Sequence, residues 1–224
     1  LRIRVILELE GKLYTDGKVE RLRNRENSIN AENLNVAFIG GMAPAKGSHL
    51  AYELIQGNRE TINWFVFGSI GDDKLEDLKQ ENLYKTGSYS REELPGLFQK
   101  YNIDLACILS VWPETFCYTI SEALLCNVPV IVSNLGAMGE RIAENGGGVL
   151  IDVQKGSQNI LRILNDFVGN RELLTRYKNK IKEYKGKTVF QMCQEYKELY
   201  EKEAVMTGTE AFDAELLYEA QVKV

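Results

Sequence analysis

The stretch SVWPETFCYTISEALLCNVPVIVS, Ser110–Ser133, decides how the chain is to be read. It begins where an apolar segment, Asp104–Leu109, ends. A loop rich in aromatic residues then leads into a helix starting at about Tyr118–Thr119, and the helix gives way to a second apolar run, Val128–Val132. Strand, loop, helix, strand is a crossover unit. Strands without polar alternation belong to a sheet covered on both faces. Two carboxylates mark the unit: Glu114 in the loop and Glu122 in the first turn of the helix, eight positions apart.

The same alternation extends in both directions. Asn35–Ile39, Asn63–Phe67 and Gly148–Ile151 read as further strands, with a weaker one near Tyr84–Thr86. Helical patterns lie near Ser48–Gln56, Asp73–Glu81, Glu92–Tyr101 and Met138–Glu144. Right-handed crossovers between such strands give a doubly wound α/β domain with a parallel sheet, and its ligand site is expected beyond the C-terminal ends of the strands. After Asp152 the pattern changes to three successive helices, Gly156–Val168, Arg171–Tyr184 and Thr188–Glu203. Residues 1–33 read as a separate linker with one or two short strands and an Asp16-Gly17 turn, residues 34–204 as the main domain, and 205–224 as a tail.

Composition narrows the function classes. The chain has 224 residues, 44% hydrophobic and 26% charged, with net charge −5, so it can build a full core and is not a disordered segment. The mixed charge without a basic tract argues against a nucleic-acid partner. No apolar run approaches the roughly 20 residues of a spanning helix, and LRIRVILELE lacks a signal-peptide pattern, so the expected compartment is the cytoplasm. Cys107, Cys117, Cys126 and Cys193 form no C-x-x-C pair, and Cys107 and Cys126 sit in apolar surroundings that suit core packing. With one histidine, His49, most His-rich zinc sites are excluded and any Ser-His-Asp triad depends on that residue.

Two turns have the chemistry of an anion cradle. Strand Asn35–Ile39 runs into GGMAPAKG, Gly40–Gly47, and then a helix. Glycines at such a turn let backbone N–H groups approach an anion, and Lys46 can reach the same anion as a point charge. The loop fits neither G-x-x-x-x-G-K-[ST] nor G-x-G-x-x-G, which disfavours a nicotinamide or flavin enzyme. The alternative is a plain turn with a solvent lysine. At the second turn, carboxylates flank a helix N-terminus that can itself take an anion. This combination suits a nucleotide sugar, because carboxylates accept from sugar hydroxyls while amide dipoles hold the diphosphate. The alternatives are structural. Thr119-x-x-Glu122 is a capping-box pattern, and Glu114 can complement the helix dipole from the loop.

With these residues in view, the chain resembles the family 4 (group 1) retaining glycosyltransferases of the GT-B fold. Glu114 and Glu122 match that family's E-x7-E signature. The resemblance runs from about Asn35 to Glu203 through GGMAPAKG, FGSIGDD, YKTGSYSREELPGLF, WPETFCYTISEALLCNVPVIVSNLGAMGE and NGGGVLI, in that order. WPETFCYTISEA is most similar to glycosyltransferases that build bacterial surface polysaccharides, including rhamnose-rich ones.

The resemblance implies a Rossmann-like, C-terminal, donor-binding half of a two-domain enzyme that moves a hexosyl or deoxyhexosyl group from a nucleotide diphosphate sugar to an acceptor hydroxyl. Lys46 takes the diphosphate lysine's place, beside Gly40 and Gly41. Glu114 contacts the donor sugar and, with Lys46, is assigned to catalysis. Backbone amides of Phe116, Cys117, Tyr118 and Thr119 hold sugar and phosphate, and Glu122 takes the ribose hydroxyls. Gly87, Ser88 and Tyr89 align with the segment that meets the base. No metal or other cofactor is called for. The acceptor, a glycan or lipid-linked glycan, belongs to an N-terminal domain that the 224 residues lack; RVILELEG, Arg4–Gly11, resembles the hinge strand before the second domain. The implied half is inactive alone, and its parent is compatible with membrane association.

Three departures stand out. The family's usual arginine five residues before the lysine is Gly41 here, leaving Arg91 and Arg141 as candidate replacements. Thr115 and Cys117 replace the glycines around the loop phenylalanine, which alters the pocket's shape. His49 does not match the catalytic-site histidine of many relatives. Two other readings remain open on the sequence: a degenerate, non-catalytic donor-binding or scaffolding module, supported by Gly41, and another GT-B enzyme such as a nucleotide-sugar epimerase, which the E-x7-E spacing argues against.

Overall fold

The computed structural model describes residues 29–181, Tyr184 and residues 194–201. The chain divides between Tyr184 and Lys185 into two compact units. The expected strand at Arg4–Gly11, the Asp16-Gly17 turn, the tail 205–224 and Cys193 lie outside the described residues.

Six parallel strands form the sheet of the first unit. They are β1 (Leu34–Ile39), β2 (Ile62–Phe67), β3 (Leu83–Gly87), β4 (Leu105–Ile108), β5 (Val130–Ser133) and β6 (Gly148–Ile151), in the spatial order β3-β2-β1-β4-β5-β6. The intervening helices are α1 (Ser48–Gly57), α2 (Asp73–Asp77), α3 (Leu94–Lys100), α4 (Tyr118–Leu125) and α5 (Gly136–Asn145), and α6 (Gly156–Gly169) and α7 (Glu172–Ile181) come after β6. This is the doubly wound α/β fold expected from the alternation. In the second unit, residues 194–201 are helical, within the helix expected over Thr188–Glu203.

Every residue of β1 and β2 is buried, which is why their sequences show no polar alternation. The pleat sends side chains to two cores. Val36, Phe38, Trp64 and Val66 pack with Leu54 of α1, Leu75 of α2 and Leu164 of α6. Ala37, Ile39, Phe65 and Phe67 pack with Phe98 of α3, Ile120 of α4 and Ile142 of α5. Cys107 is buried between strands, and burial pushes its thiol up to about 12; Cys126 is likewise raised, to about 11, by burial and then by the Glu122 charge. Core packing is the role expected for both.

Several boundaries differ from the sequence-based expectation, and two of them have a visible cause. α2 stops at Asp77 rather than running to Glu81. Lys85 on β3 donates to the carbonyls of Leu75 (2.6 Å), Glu76 (2.6 Å) and Leu78 (3.0 Å), satisfying groups the next turn would have used. β5 starts at Val130 rather than Val128. Asn127 adopts φ 58°, and the Val128 amide donates to the Ala123 carbonyl at 2.9 Å, so these residues close α4 first.

Candidate functional site

β1 and β4 are neighbours, yet α1 and α4, which come after them in the chain, cover opposite faces of the sheet. The loops leaving their C-terminal ends therefore part and open a crevice at the topological switch point. The loop after β1 carries Gly40, Gly41 and Lys46, and the loop after β4 carries Ser110, Glu114, Phe116 and Cys117. The Val111 amide donates to the Ala45 carbonyl at 3.0 Å and ties the loops together. Gly47 allows this approach. Its φ is +75°, and a Cβ there would lie 2.2 Å from the Leu109 carbonyl oxygen. Lys46 is thereby set against the WPE loop, with Nζ 2.7 Å from Oε1 of Glu114.

Glu114 is 13% exposed. Burial works against its ionisation, but hydrogen bonds from Lys46 and the Ser110 hydroxyl, the Lys46 charge and the Cys117 thiol outweigh it. The carboxyl is held below its ordinary range. The segment is clamped from the other side, where the Ala137 amide donates to the Glu114 carbonyl at 3.2 Å. Gly136, with φ +51°, comes close enough that a Cβ would sit 2.9 Å from Pro113 Cβ.

α4 begins after Cys117, whose φ of 64° is left-handed, and no side chain caps this terminus. The Thr119 hydroxyl lies 3.2 Å from the Cys117 sulfur. The capping box that Thr119-x-x-Glu122 offered as the structural alternative does not form. Cys117 is the N-cap, and Glu122 lies in the second turn rather than the first, beyond reach of that role. An uncapped N-terminus keeps its N–H donors and positive dipole end available to an anion. Arg141 braces the approach. It donates to the carbonyls of Phe116 and Cys117 (both 2.8 Å), to Ser121 Oγ (2.6 Å) and to the Tyr184 hydroxyl (3.0 Å), and its guanidinium lies 4.2 Å from the Phe116 ring centroid. Of the two arginines offered as replacements for a cation at Gly41, Arg141 is therefore engaged in holding the loop.

Glu122 meets Arg91 instead. Arg91 Nε is 2.7 Å from Glu122 Oε1, and the same guanidinium lies 5.3 Å from the Tyr118 ring centroid. Tyr118 and Glu122 are four residues apart and share one face of α4. Tyr89 reaches the same corner, in contact with the Gly40 backbone. Burial first, and the Glu122 charge second, push its hydroxyl up to about 12, so it stays protonated at neutral pH.

Lys46 and Glu114 thus meet directly, while Gly40, Tyr89 and Glu122 gather at a neighbouring corner. Phe116 and Tyr118 are exposed with rings 4.8 Å apart. Gly41 is exposed, with room for a side chain: a Cβ would meet only Ser69 Oγ, at 3.6 Å. Ser88 is exposed past β3, and His49 is exposed on α1, outside both clusters. The sequence reading missed Ser110 and Gly136. Ser110 carried a weak signal, as a lone hydroxyl ending an apolar strand four residues before Glu114. The contact made by Gly136 is set by tertiary packing alone.

Among the described residues, no group of acidic, His and Cys side chains could hold a metal ion, and no helix is long and apolar enough to cross a membrane. Known proteins share this architecture. A protein of 41.2 kDa from the cps region of Klebsiella pneumoniae is 30% identical over 141 residues, which cover 61% of this chain and 38% of that protein. The crystal structure of Anabaena HepE in complex with UDP-glucose superposes with a TM-score of 0.59 at 21% identity, covering 75% of this chain and 47% of that one. The C-terminal domain of the Francisella tularensis group 1 glycosyltransferase LpcC gives a TM-score of 0.55 at 19% identity, covering 66% of this chain and 82% of that one. The chain spans less than half the length of the curated relatives it matches. Residues 20–184 match the family described as glycosyl transferases group 1, and the chain belongs to that family.

Proposed function

We propose that this chain is the donor-binding half of a retaining glycosyltransferase that moves a sugar from a nucleotide diphosphate sugar to an acceptor hydroxyl in bacterial polysaccharide synthesis. The observation that carries this reading is the pairing of the Lys46 ammonium with the Glu114 carboxylate in the switch-point crevice, beside Cys117, the N-cap residue of the uncapped α4 N-terminus. HepE is structurally similar and binds UDP-glucose, which supports a nucleotide sugar as the ligand class. The cps-region location of the Klebsiella relative supports the polysaccharide role.

The reaction poses a problem of charge. As the bond to the leaving diphosphate breaks, negative charge grows on the phosphate and positive charge on the sugar. In this reading Lys46 and the amides from Phe116 to Thr119 would meet the phosphate charge, and no metal is called for. Glu114 would accept from sugar hydroxyls and orient the ring, and Glu122 would accept from the ribose. The acceptor would be held by a second domain, which leaves this half able to bind donor but not to turn it over. The three described cysteines are free, in keeping with a reducing, cytoplasmic compartment.

Calorimetry with UDP, GDP and dTDP on the full chain tests the reading. We expect at least one of them to bind, and Lys46→Ala to weaken it about tenfold or more, the effect of losing a charge-assisted contact. Absence of binding, or a Lys46→Ala variant that binds equally well, would favour a scaffolding module. Robust transfer by the chain alone would overturn the half-enzyme assignment.

A further inference from the structure

We propose that Arg91 is a positioning residue that occupies one oxygen of Glu122 and so makes the nucleotide site nearly indifferent to the ribose 2′-hydroxyl, admitting 2′-deoxyribonucleoside diphosphates alongside ribonucleoside diphosphates. The inference rests on the proposal that Glu122 faces the ribose. Its own ground is the geometry around that carboxylate.

Arg91 is built into its place. Ser90 and Glu93 form a capping box around the turn Arg91–Glu93, with the Ser90 amide donating to Glu93 Oε2 at 2.6 Å, and a proline in the first turn of α3 stiffens the start of that helix. From this turn Arg91 reaches α4 at two points one helical turn apart, stacking over Tyr118 and pairing with Glu122 through Nε. The aromatic ring beneath the guanidinium limits where it can swing. The pair is asymmetric in exposure: the Arg91 side chain is 65% exposed, and that of Glu122 only 17%. Glu122 therefore has a cation on Oε1, and Oε2 has no hydrogen-bond partner among the described residues.

A free carboxylate can take both hydroxyls of a cis-diol, one on each oxygen. A hydroxyl reaching Oε1 would have to share it with the Arg91 guanidinium, so Oε2 is the stronger acceptor left to the diol. A second hydroxyl gains little, and a sugar lacking it leaves no buried acceptor unpaired. Sites discriminate strongly against a missing hydroxyl only when its absence strands a buried polar group. Here Arg91 already satisfies that group.

The test is calorimetry on the full chain with UDP and 2′-deoxy-UDP, which differ only at the 2′ position, for the parent sequence, Arg91→Ala, Arg91→Lys and Lys46→Ala. The parent should bind the two within about threefold, and Arg91→Ala should widen the preference for UDP to about tenfold or more as the freed oxygen gains a charge-assisted hydrogen bond. Arg91→Lys should keep the narrow ratio, because an ammonium restores the charge on Oε1. Lys46→Ala should weaken both ligands equally and leave the ratio alone. A parent that prefers UDP by more than about tenfold, or an Arg91→Ala ratio equal to the parent's, overturns the inference while leaving diphosphate binding intact. Where GDP is the base that binds, GDP and 2′-deoxy-GDP take the place of the uridine pair; failure of the parent to bind UDP, GDP or dTDP removes the underlying functional reading and the inference with it.

Discussion

Burial and charge pull the Glu114 carboxyl in opposite directions, and charge prevails because Lys46 and Ser110 both donate to the same oxygen. Replacing Lys46 by Met removes the cation and its hydrogen bond but leaves the burial, so the Glu114 pKa should rise; carbon NMR of the labelled carboxyl measures this directly. The consequence for stability has a definite sign. A carboxyl whose folded-state pKa lies below its unfolded value of about 4.3 stabilises the fold above that pH, and the contribution is lost as pH falls through the folded-state pKa. In Lys46→Met the gap between the folded and unfolded values narrows, so the acid-side loss should be smaller and should end at higher pH, as read from urea midpoints across an acid series. At this scale the sequence was informative about residue identity: Lys46, Glu114 and Glu122 were singled out by type and spacing. It was silent on partners. No spacing rule links Arg91 to Glu122 or Arg141 to Phe116, because those pairs are neighbours only once the crossovers have folded.

At the scale of elements, the N-terminus of α4 is the feature most shaped by its surroundings. A left-handed cysteine is an unfavourable N-cap, as only glycine and asparagine visit that conformation readily. Arg141 holds it by taking the Phe116 and Cys117 carbonyls. Arg141→Ala should therefore destabilise the chain by about 0.5–1.5 kcal/mol, the net range of a hydrogen bond to carbonyls that water can still reach, and should raise amide exchange at residues 116–119 above that of the β4 core; urea unfolding and hydrogen exchange measure the two effects. The capping-box pattern at Thr119 and Glu122 did not form because sequence spacing identifies a box only when the first helical residue is known, and here the N-cap is Cys117, two positions earlier. The end of α2 was hidden for a similar reason: the lysine that takes its last carbonyls comes from the next strand.

For the sheet domain as a whole, stability rests on two apolar layers separated by a sheet with four completely buried strands, β1, β2, β4 and β5. Trp64 anchors one layer, stacked on Phe38 with centroids 5.6 Å apart and planes 9° from parallel, and its Nε1 donates to the Asn58 carbonyl at 3.0 Å. Trp64→Ala should lower unfolding stability by about 3–5 kcal/mol, with a lower urea midpoint and an unchanged slope. At the N-terminal ends of the strands, buried Asn35 and Asn63 satisfy one another through Nδ2 of Asn63 and Oδ1 of Asn35 at 2.8 Å. Each strand-start asparagine was visible in the sequence, but their mutual contact required the register of β1 on β2. The sequence by itself determined the α/β class, the parallel sheet, the strand-end location of the site and most of its charged residues, because hydrophobic period, glycine placement and carboxylate spacing are local properties of a chain. Only the tertiary structure decided which cation holds which carboxylate, because Lys46 and Glu114, or Arg91 and Glu122, meet across crossover connections whose closure depends on the packing of the whole sheet.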